Sequence, residues 1–290
     1  GNDLVKYTCS HCGAEIITDR STAATVCVYC GNAVIMGEQI IDNFSPDYVI
    51  PFKVPKTQVM DAFKKFSKKP LTPKDFSCDR VVDKMQGVYI PFWLYSGNCE
   101  GSITAEGINT RTWTSGNYRY TEKKYYSVYR NGTLDFKAVP VDASSKTDDD
   151  AMDSIEPFDY SEMTAFNPGY LSGYLAERYD EDKDKCLPRA KERIENTTRD
   201  ELRNTCNYNS VNVQSYEKHT EIKDVKYAML PTWLLYTTYQ DKPYFFAMNG
   251  QTGKFIGNLP ISKGKLVAYS LLGGVGGYII GAILQIMGIF

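Results

Sequence analysis

Histidine is scarce in this chain, whose 290 residues include only two, His11 and His219. His11 stands between two cysteines, and His219 stands in a polar stretch. Histidine is the usual base that activates a serine or cysteine nucleophile, and neither position gives a recognisable pairing. Carboxylate pairs stay open, but the sequence singles none out. We therefore expect a protein that is not an enzyme.

The chain also lacks an excess of positive charge. It has 33 Lys and Arg against 35 Asp and Glu, a formal net charge of −2, and a pI of about 5.8. Affinity for nucleic acid depends largely on cations that neutralise phosphates. Near the cysteine-rich start the basic residues are Lys6 and Arg20. We therefore expect any binding of nucleic acid to be weak and non-specific.

Four of the eight cysteines form two Cys-x-x-Cys pairs in the stretch CSHCGAEIITDRSTAATVCVYCG. The paired cysteines are Cys9, Cys12, Cys27 and Cys30. Four thiolates suit tetrahedral zinc and fill every position around it, so the sequence predicts one structural Zn²⁺ ion. The other four cysteines have no framework spacing, which indicates a reducing compartment. Between the pairs, AEIIT and AATV predict two short strands around the turn DRST.

Residues 45–262 predict an α+β body that is mostly antiparallel. The segment DYVIPFKV predicts a strand. The segment PKTQVMDAFKKFSKK predicts an amphipathic helix, because Val59, Phe63 and Phe66 recur at helical spacing. Gly87–Val141 predicts an antiparallel sheet with turns at both SGN stretches and at Asn131-Gly132. Its many tyrosines favour cross-strand aromatic pairs over a ligand platform.

Helices are expected next, over about 148–205, in TDDDAMDSIE, NPGYLSGYLAERYDEDKDK and PRAKERIENTTRDELRNT. Strands return at VNVQSY and KYAMLPTWLLYTTY, followed by the hairpin YFFAMNGQTGKFIG. NGQTGK fails the spacing of a phosphate loop and predicts a hairpin turn. The shared pattern of VYIPFWLY and AMLPTWLLY leaves a weak internal duplication of this domain open.

The last segment, LVAYSLLGGVGGYIIGAILQIMGIF, runs from Leu266 to Phe290 without a charge. Its length predicts a transmembrane anchor, and Gly273, Gly277 and Gly281 form a small-residue face for self-association. Lysines just before the segment place the body on the cytoplasmic side of a bacterial membrane. The predicted organisation is a zinc ribbon at 1–37, an α+β domain at 45–262 and an anchor at 266–290.

Several stretches together resemble a bacterial family known as transcription factor IIB-type zinc-ribbon-containing proteins. They are TAAT before Cys27, PDYVIPFK, GVYIPFWL, PVDASSK, MDSIEPFDYSEM, YLSGYLAERY, LPTWLL, FAMNGQTGK and ISKGK. Some members carry the labels replication restart helicase or primosomal protein N′ because of the ribbon alone. The resemblance implies a membrane-anchored accessory protein near phage-shock protein A-like and flotillin-like proteins.

The sequence thus favours a non-enzymatic adaptor or scaffold, anchored by one span in the cytoplasmic membrane with its body in the cytoplasm, that recruits protein partners. The alternative is a membrane-tethered module that binds nucleic acid. The two differ in whether proteins or DNA bind at physiological salt.

Overall fold

The structure is a computed structural model that describes residues 4–11, 13, 15–19, 22–26, 33–35, 45–73, 76, 85–145 and 147–270. The chain divides into two compact units. Unit 1 consists of residues 1–50, 89–149 and 160–230, and unit 2 consists of residues 51–88, 150–159 and 231–290.

Unit 1 is built mainly from β-strands. Its short strands are β1 (Leu4–Thr8), β2 (Glu15–Asp19), β3 (Thr22–Val26), β4 (Ala33–Ile35), β5 (Tyr48–Val49), β8 (Thr164–Ala165) and β9 (Leu175–Glu177). The strands expected from AEIIT and AATV are present as β2 and β3. They do not form a hairpin with each other: β2 pairs with β1, and β3 pairs with β4 and β9.

A long antiparallel hairpin dominates unit 1. It consists of β6 (Gln86–Ser115) and β7 (Tyr118–Asp142), joined at Gly116 and Asn117. The register runs from Phe92↔Asp142 to Ser115↔Tyr118 and shifts between Tyr95 and Gly97. Gly116 has φ +60°, which suits a tight two-residue turn. The second SGN stretch is therefore the turn that the sequence predicted.

Helix α3 (Lys183–Asn204) covers the base of this hairpin. Asp182 caps its first turn by accepting hydrogen bonds from the backbone N–H groups of Asp184 and Lys185. Pro188 lies inside the helix, beyond its first turn, so the helix lacks one backbone hydrogen bond there. A buried apolar cluster joins the helix, the hairpin and the following strand: Ile103, Ala105, Val128, Leu202, Cys206 and Val211.

Strand β10 (Ser210–Tyr239) lies beside β6. The two backbones come closest at Gly97, where an added Cβ would lie 2.0 Å from the carbonyl oxygen of Glu221. The first SGN stretch, Ser96–Asn98, was predicted to be a turn, and this prediction is wrong. The strand continues through it with an irregularity, and glycine is required there for close approach.

Unit 2 contains two helices, α1 (Lys56–Ser67) and all but the first residue of α2 (Asp149–Ser154). Its strands are the end of β10, β11 (Lys242–Asn249) and β12 (Phe255–Gly257). The predicted helix is confirmed as α1, whose Val59 and Phe63 are fully buried. The ring of Phe63 lies 5.2 Å from that of Phe246 and 5.5 Å from that of Phe255. NGQTGK is confirmed as a hairpin turn, since β11 and β12 pair on either side of it.

Two further predictions within unit 1 need correction. NPGYLSGYLAERY is not helical, because it contains a 3₁₀ turn at Pro168–Leu171 and then β9. Asn131-Gly132 is not a hairpin turn, because both residues continue β7 opposite Ser102 and Gly101. The strands predicted at VNVQSY and KYAMLPTWLLYTTY are confirmed, and both belong to the single strand β10.

The predicted fold class, a four-Cys zinc ribbon, an α+β body and a C-terminal transmembrane helix, is contradicted. The described residues are mostly β, and among them the α-helices hold 12, 6 and 22 residues besides a helical stretch at 263–270. In those same residues no group of three metal-ligating side chains occurs. The sequence overestimated helix at NPGYLSGYLAERY, which forms a 3₁₀ turn and a short strand instead.

The predicted anchor at Leu266–Phe290 and the membrane location derived from it are also contradicted. Within the described part of the chain, which ends at residue 270, no helix has the length and apolar character needed to cross a membrane. The remainder of the segment, with Gly273, Gly277 and Gly281, lies outside the described residues.

The close approach at Gly97 yields a stability prediction. Gly97→Ala should lower the free energy of unfolding by more than about 2 kcal/mol, because the Cβ would overlap a backbone carbonyl that cannot rotate away. Gly132→Ala is the matched control on the same hairpin, because its Cβ would make only an ordinary 3.5 Å contact with Leu202. Chemical denaturation of both variants checks this, and equal midpoints would contradict it.

Candidate protein-binding arm

The predicted zinc ligands are placed only in part. Cys9 follows β1 and is buried, and Gly13, with φ +73°, donates its N–H to the carbonyl of Cys9 at 2.8 Å. Cys12, Cys27 and Cys30 lie outside the described residues. The described residues therefore give no support to a zinc site, and the ligand set stays a prediction from the Cys-x-x-Cys spacing.

The most prominent exposed feature is the far end of the β6–β7 hairpin, residues 110–127, which we call the hairpin arm. Every residue of the arm is exposed, so both faces of this two-stranded ribbon meet solvent. At its base, the N–H of Thr110 donates to the side-chain oxygen of Asn209, and Asn109 accepts from the N–H of Asn209. Nearby, the ring of Tyr208 lies against Gly107. These contacts anchor the arm just before it leaves the body of unit 1.

The arm carries an unusual number of exposed rings. Tyr118 is 72% exposed and Tyr125 is 59% exposed. Trp113 and Tyr120 lie directly opposite each other and stack, with ring centroids 5.7 Å apart and planes 15° apart. The guanidinium of Arg111 lies 5.7 Å from the centroid of the Trp113 ring. The predicted cross-strand aromatic pairs are confirmed at this pair.

The charge of the arm is opposite in sign to that of the whole chain. Four cations and one carboxylate, Glu122, give the arm a formal charge of +3, while the chain carries −2. The cations are Arg111, Arg119, Lys123 and Lys124. Exposed aromatic area beside cations is typical of surfaces that bind partners. The net charge of the whole chain did not indicate this local concentration of positive charge. The spacing of basic residues around the second SGN stretch would have indicated it.

A second polar cluster lies at the other end of the hairpin. Asp142 is 1% exposed and accepts a hydrogen bond from Arg189 at 2.7 Å and another from the hydroxyl of Thr147 at 2.9 Å. Arg189 also pairs with the more exposed Asp149. Burial raises the pKa of Asp142 to about 6, although Arg189 opposes the shift. Each polar group has a partner within the fold, which is typical of a structural cluster.

Among the residues that the structure describes, those that could act as a base or a nucleophile are not brought together. His219 lines a polar surface pocket of about 400 Å³, and no described side chain is hydrogen-bonded to it. Cys186 is buried beside the backbone carbonyl of Asp142, and burial raises the pKa of its thiol to about 12. Such a thiol stays protonated and is a poor nucleophile.

Comparison with known proteins identifies a relative in Bacillus subtilis (strain 168), the uncharacterized protein YdjG. The two are 39% identical over an alignment of 317 residues, which covers 92% of this chain and 93% of YdjG. No family model matches the chain. No solved structure matches it either. The resemblance to zinc-ribbon proteins and the partners that it implies therefore stay predictions.

The cysteine spacing can be tested directly. If Cys9, Cys12, Cys27 and Cys30 bind zinc, protein expressed with sufficient metal should carry about one zinc per chain. Cys27→Ser should then lose the metal, while Cys99→Ser, which changes a cysteine outside the pattern, should keep it. Elemental analysis of the purified proteins checks this, and an absence of zinc in the wild type would rule the site out.

The buried carboxyl predicts a pH effect. Because the pKa of Asp142 is higher in the folded than in the unfolded chain, its protonation stabilises the fold below about pH 4, and this contribution disappears as the pH rises through about 6. The unfolding free energy of the wild type relative to Asp142→Asn should therefore fall by on the order of 2 kcal/mol between pH 4 and 7. Asp149→Asn, which changes the other carboxylate that pairs with the guanidinium of Arg189, is the control. A constant difference for Asp142→Asn across this range would contradict the assignment.

Proposed function

The chain belongs to the same family as YdjG of Bacillus subtilis, and we propose that it is a non-enzymatic adaptor whose hairpin arm binds an acidic segment of a protein partner. The observation that carries the proposal is the arm itself, a fully exposed ribbon that concentrates aromatic rings and positive charge in an otherwise acidic chain. Trp, Tyr and Arg, all present on the arm, are the side chains that most often dominate binding energy at protein interfaces.

Binding of a protein, not catalysis, accounts best for these features. Both faces of the arm are exposed, so it presents a surface and not an enclosed site. Its cations favour partners of opposite charge and speed their association. The register of the hairpin and its anchored base hold the rings in place, which reduces the entropy lost on binding.

Single-stranded nucleic acid is the second candidate, because cations interleaved with rings also occur on base-stacking surfaces. One observation favours a protein. Trp113 is partly covered by Arg111 and Tyr120, which leaves less of its ring for a base.

Site-specific crosslinking tests the proposal. A photoreactive phenylalanine analogue at Tyr125 should form adducts in native extracts, whereas the same analogue at Tyr236, an equally exposed ring in unit 2, should not. Mass spectrometry should place the adducts on peptides rich in Asp and Glu. Adducts that disappear after nuclease treatment would favour nucleic acid, and adducts on neutral or basic peptides would contradict the proposal.

Charge reversal gives a quantitative prediction. Lys123→Glu combined with Lys124→Glu should weaken binding of the captured acidic peptide by at least about tenfold at physiological salt, because both cations are lost and like charges replace them. Lys68→Glu combined with Lys242→Glu makes the same change in net charge on exposed residues of unit 2. Fluorescence anisotropy should show that the control pair keeps the wild-type affinity within about threefold.

A further inference from the structure

Strand β7 forms an open edge of the sheet along the hairpin arm. Among the described strands it pairs with β6 and with no other. Residues 118–127 are all exposed, so no described element covers the outer side of the strand there. An open edge presents backbone N–H and C=O groups that have no ladder partner.

The register identifies which residues present these groups. In an antiparallel pair, residues alternate between those that exchange hydrogen bonds with the partner strand and those whose N–H and C=O point away from it. Thr110 directs its N–H away from β7, because it donates to Asn209 at 2.8 Å. Thr110 lies opposite Lys123, so Lys123 directs its backbone groups away from β6.

The same alternation extends the assignment along β7. The residues of this set are Arg119, Thr121, Lys123, Tyr125, Ser127 and Tyr129. A second contact agrees with this assignment, because the hydroxyls of Thr112 and Thr121 lie 3.3 Å apart across the ribbon. Side chains approach most closely at pairs that do not exchange backbone hydrogen bonds.

Most features that protect an edge strand from pairing with another chain are absent from this part of β7. Natural edges are blocked by proline, by bulges, by short length or by charges. From Tyr118 to Arg130 the strand has neither proline nor glycine, and its register with β6 is regular throughout. Its charged side chains are the protection that remains, and they are mostly of one sign.

That sign determines which strand can pair with this edge. Two copies of β7 would bring Arg119, Lys123 and Lys124 close to the same residues of the other copy, and like charges across a strand pair are unfavourable. An acidic extended segment would instead place carboxylates beside these cations. Tyr125 and Tyr129 project from the same face as Lys123 and would flank such a segment with rings.

We infer that the edge of β7 between Arg119 and Tyr129 binds an extended acidic segment of a partner as an added antiparallel or parallel strand. This inference rests on the proposed function, because it specifies how the arm holds its partner. Backbone hydrogen bonds supply affinity in this binding mode, and the cations and rings supply selectivity.

A synthetic peptide that alternates glutamate and valine is the probe, with a lysine–valine peptide and an N-methylated glutamate–valine peptide as controls. The acidic peptide should bind the full chain, the basic peptide should not, and N-methylation should abolish binding because it removes the amide donors. An N-methylated peptide that binds as well as its parent would overturn the added strand. Failure of the acidic peptide to bind would overturn it too.

Two substitutions at one position separate the backbone from the ring. Tyr125→Pro removes an outward N–H without breaking a bond to β6 and should weaken binding of the acidic peptide at least about tenfold. Tyr125→Val keeps the N–H and removes only the ring, so its loss of affinity should be clearly smaller than that of Tyr125→Pro. Circular dichroism should show that both variants keep the fold. Equal losses in the two variants would assign the binding to the ring and overturn the inference.

Hydrogen exchange followed by NMR supplies a second readout. In the free protein the amides of Thr121, Lys123 and Tyr125 should exchange quickly while those of Tyr120 and Glu122 are protected, and the peptide should protect the first set. Binding that is lost on Lys123→Glu with Lys124→Glu but kept in Tyr125→Pro would overturn the added strand and leave the proposed function intact. Binding unchanged in both variants would overturn the two together.

Discussion

The packing of helix α3 and strand β10 against the base of the β6–β7 hairpin is the contact on which the hairpin arm depends. A two-stranded ribbon alone is marginally stable in water because it cannot bury both of its faces. Here Ile103 and Val128 are buried against Leu202 and Cys206, so the base belongs to the core of unit 1. The ribbon can therefore extend beyond that core with both faces exposed.

Exposure of this kind changes what the side chains do. Tyrosines near the base take part in packing, as Tyr126 does with Tyr208 at 5.2 Å between ring centroids. Tyr118 at the tip and Tyr125 on the opposite face from Tyr126 make no comparable contact with the core and are exposed. The same residue type thus stabilises the fold at one position of the strand and presents exposed ring area at others. The lysines keep such a surface soluble while it is unoccupied.

Local patterns predicted many elements correctly. Helix α1 follows from the helical spacing of Val59 and Phe63, and the turn at Gly116 follows from a short polar stretch between two strand patterns. Amphipathic spacing and turn chemistry act within a few residues, so a single sequence contains them in full. The sequence also contains the rings and the basic residues of the arm. It does not show that they are exposed together.

The sequence by itself determined most of the long strand segments, helices α1 and α3, the final hairpin turn and the residue types that the arm displays. Only the tertiary structure decided that Ser96–Asn98 continues a strand, because the reason is the backbone of Glu221 on a distant strand beside Gly97. It also decided that β7 keeps an open edge, since pairing and burial depend on which strands meet. A glycine in a turn and a glycine at a close approach of two strands look the same in the sequence. The residue that distinguishes them here, Glu221, is more than a hundred residues from Gly97.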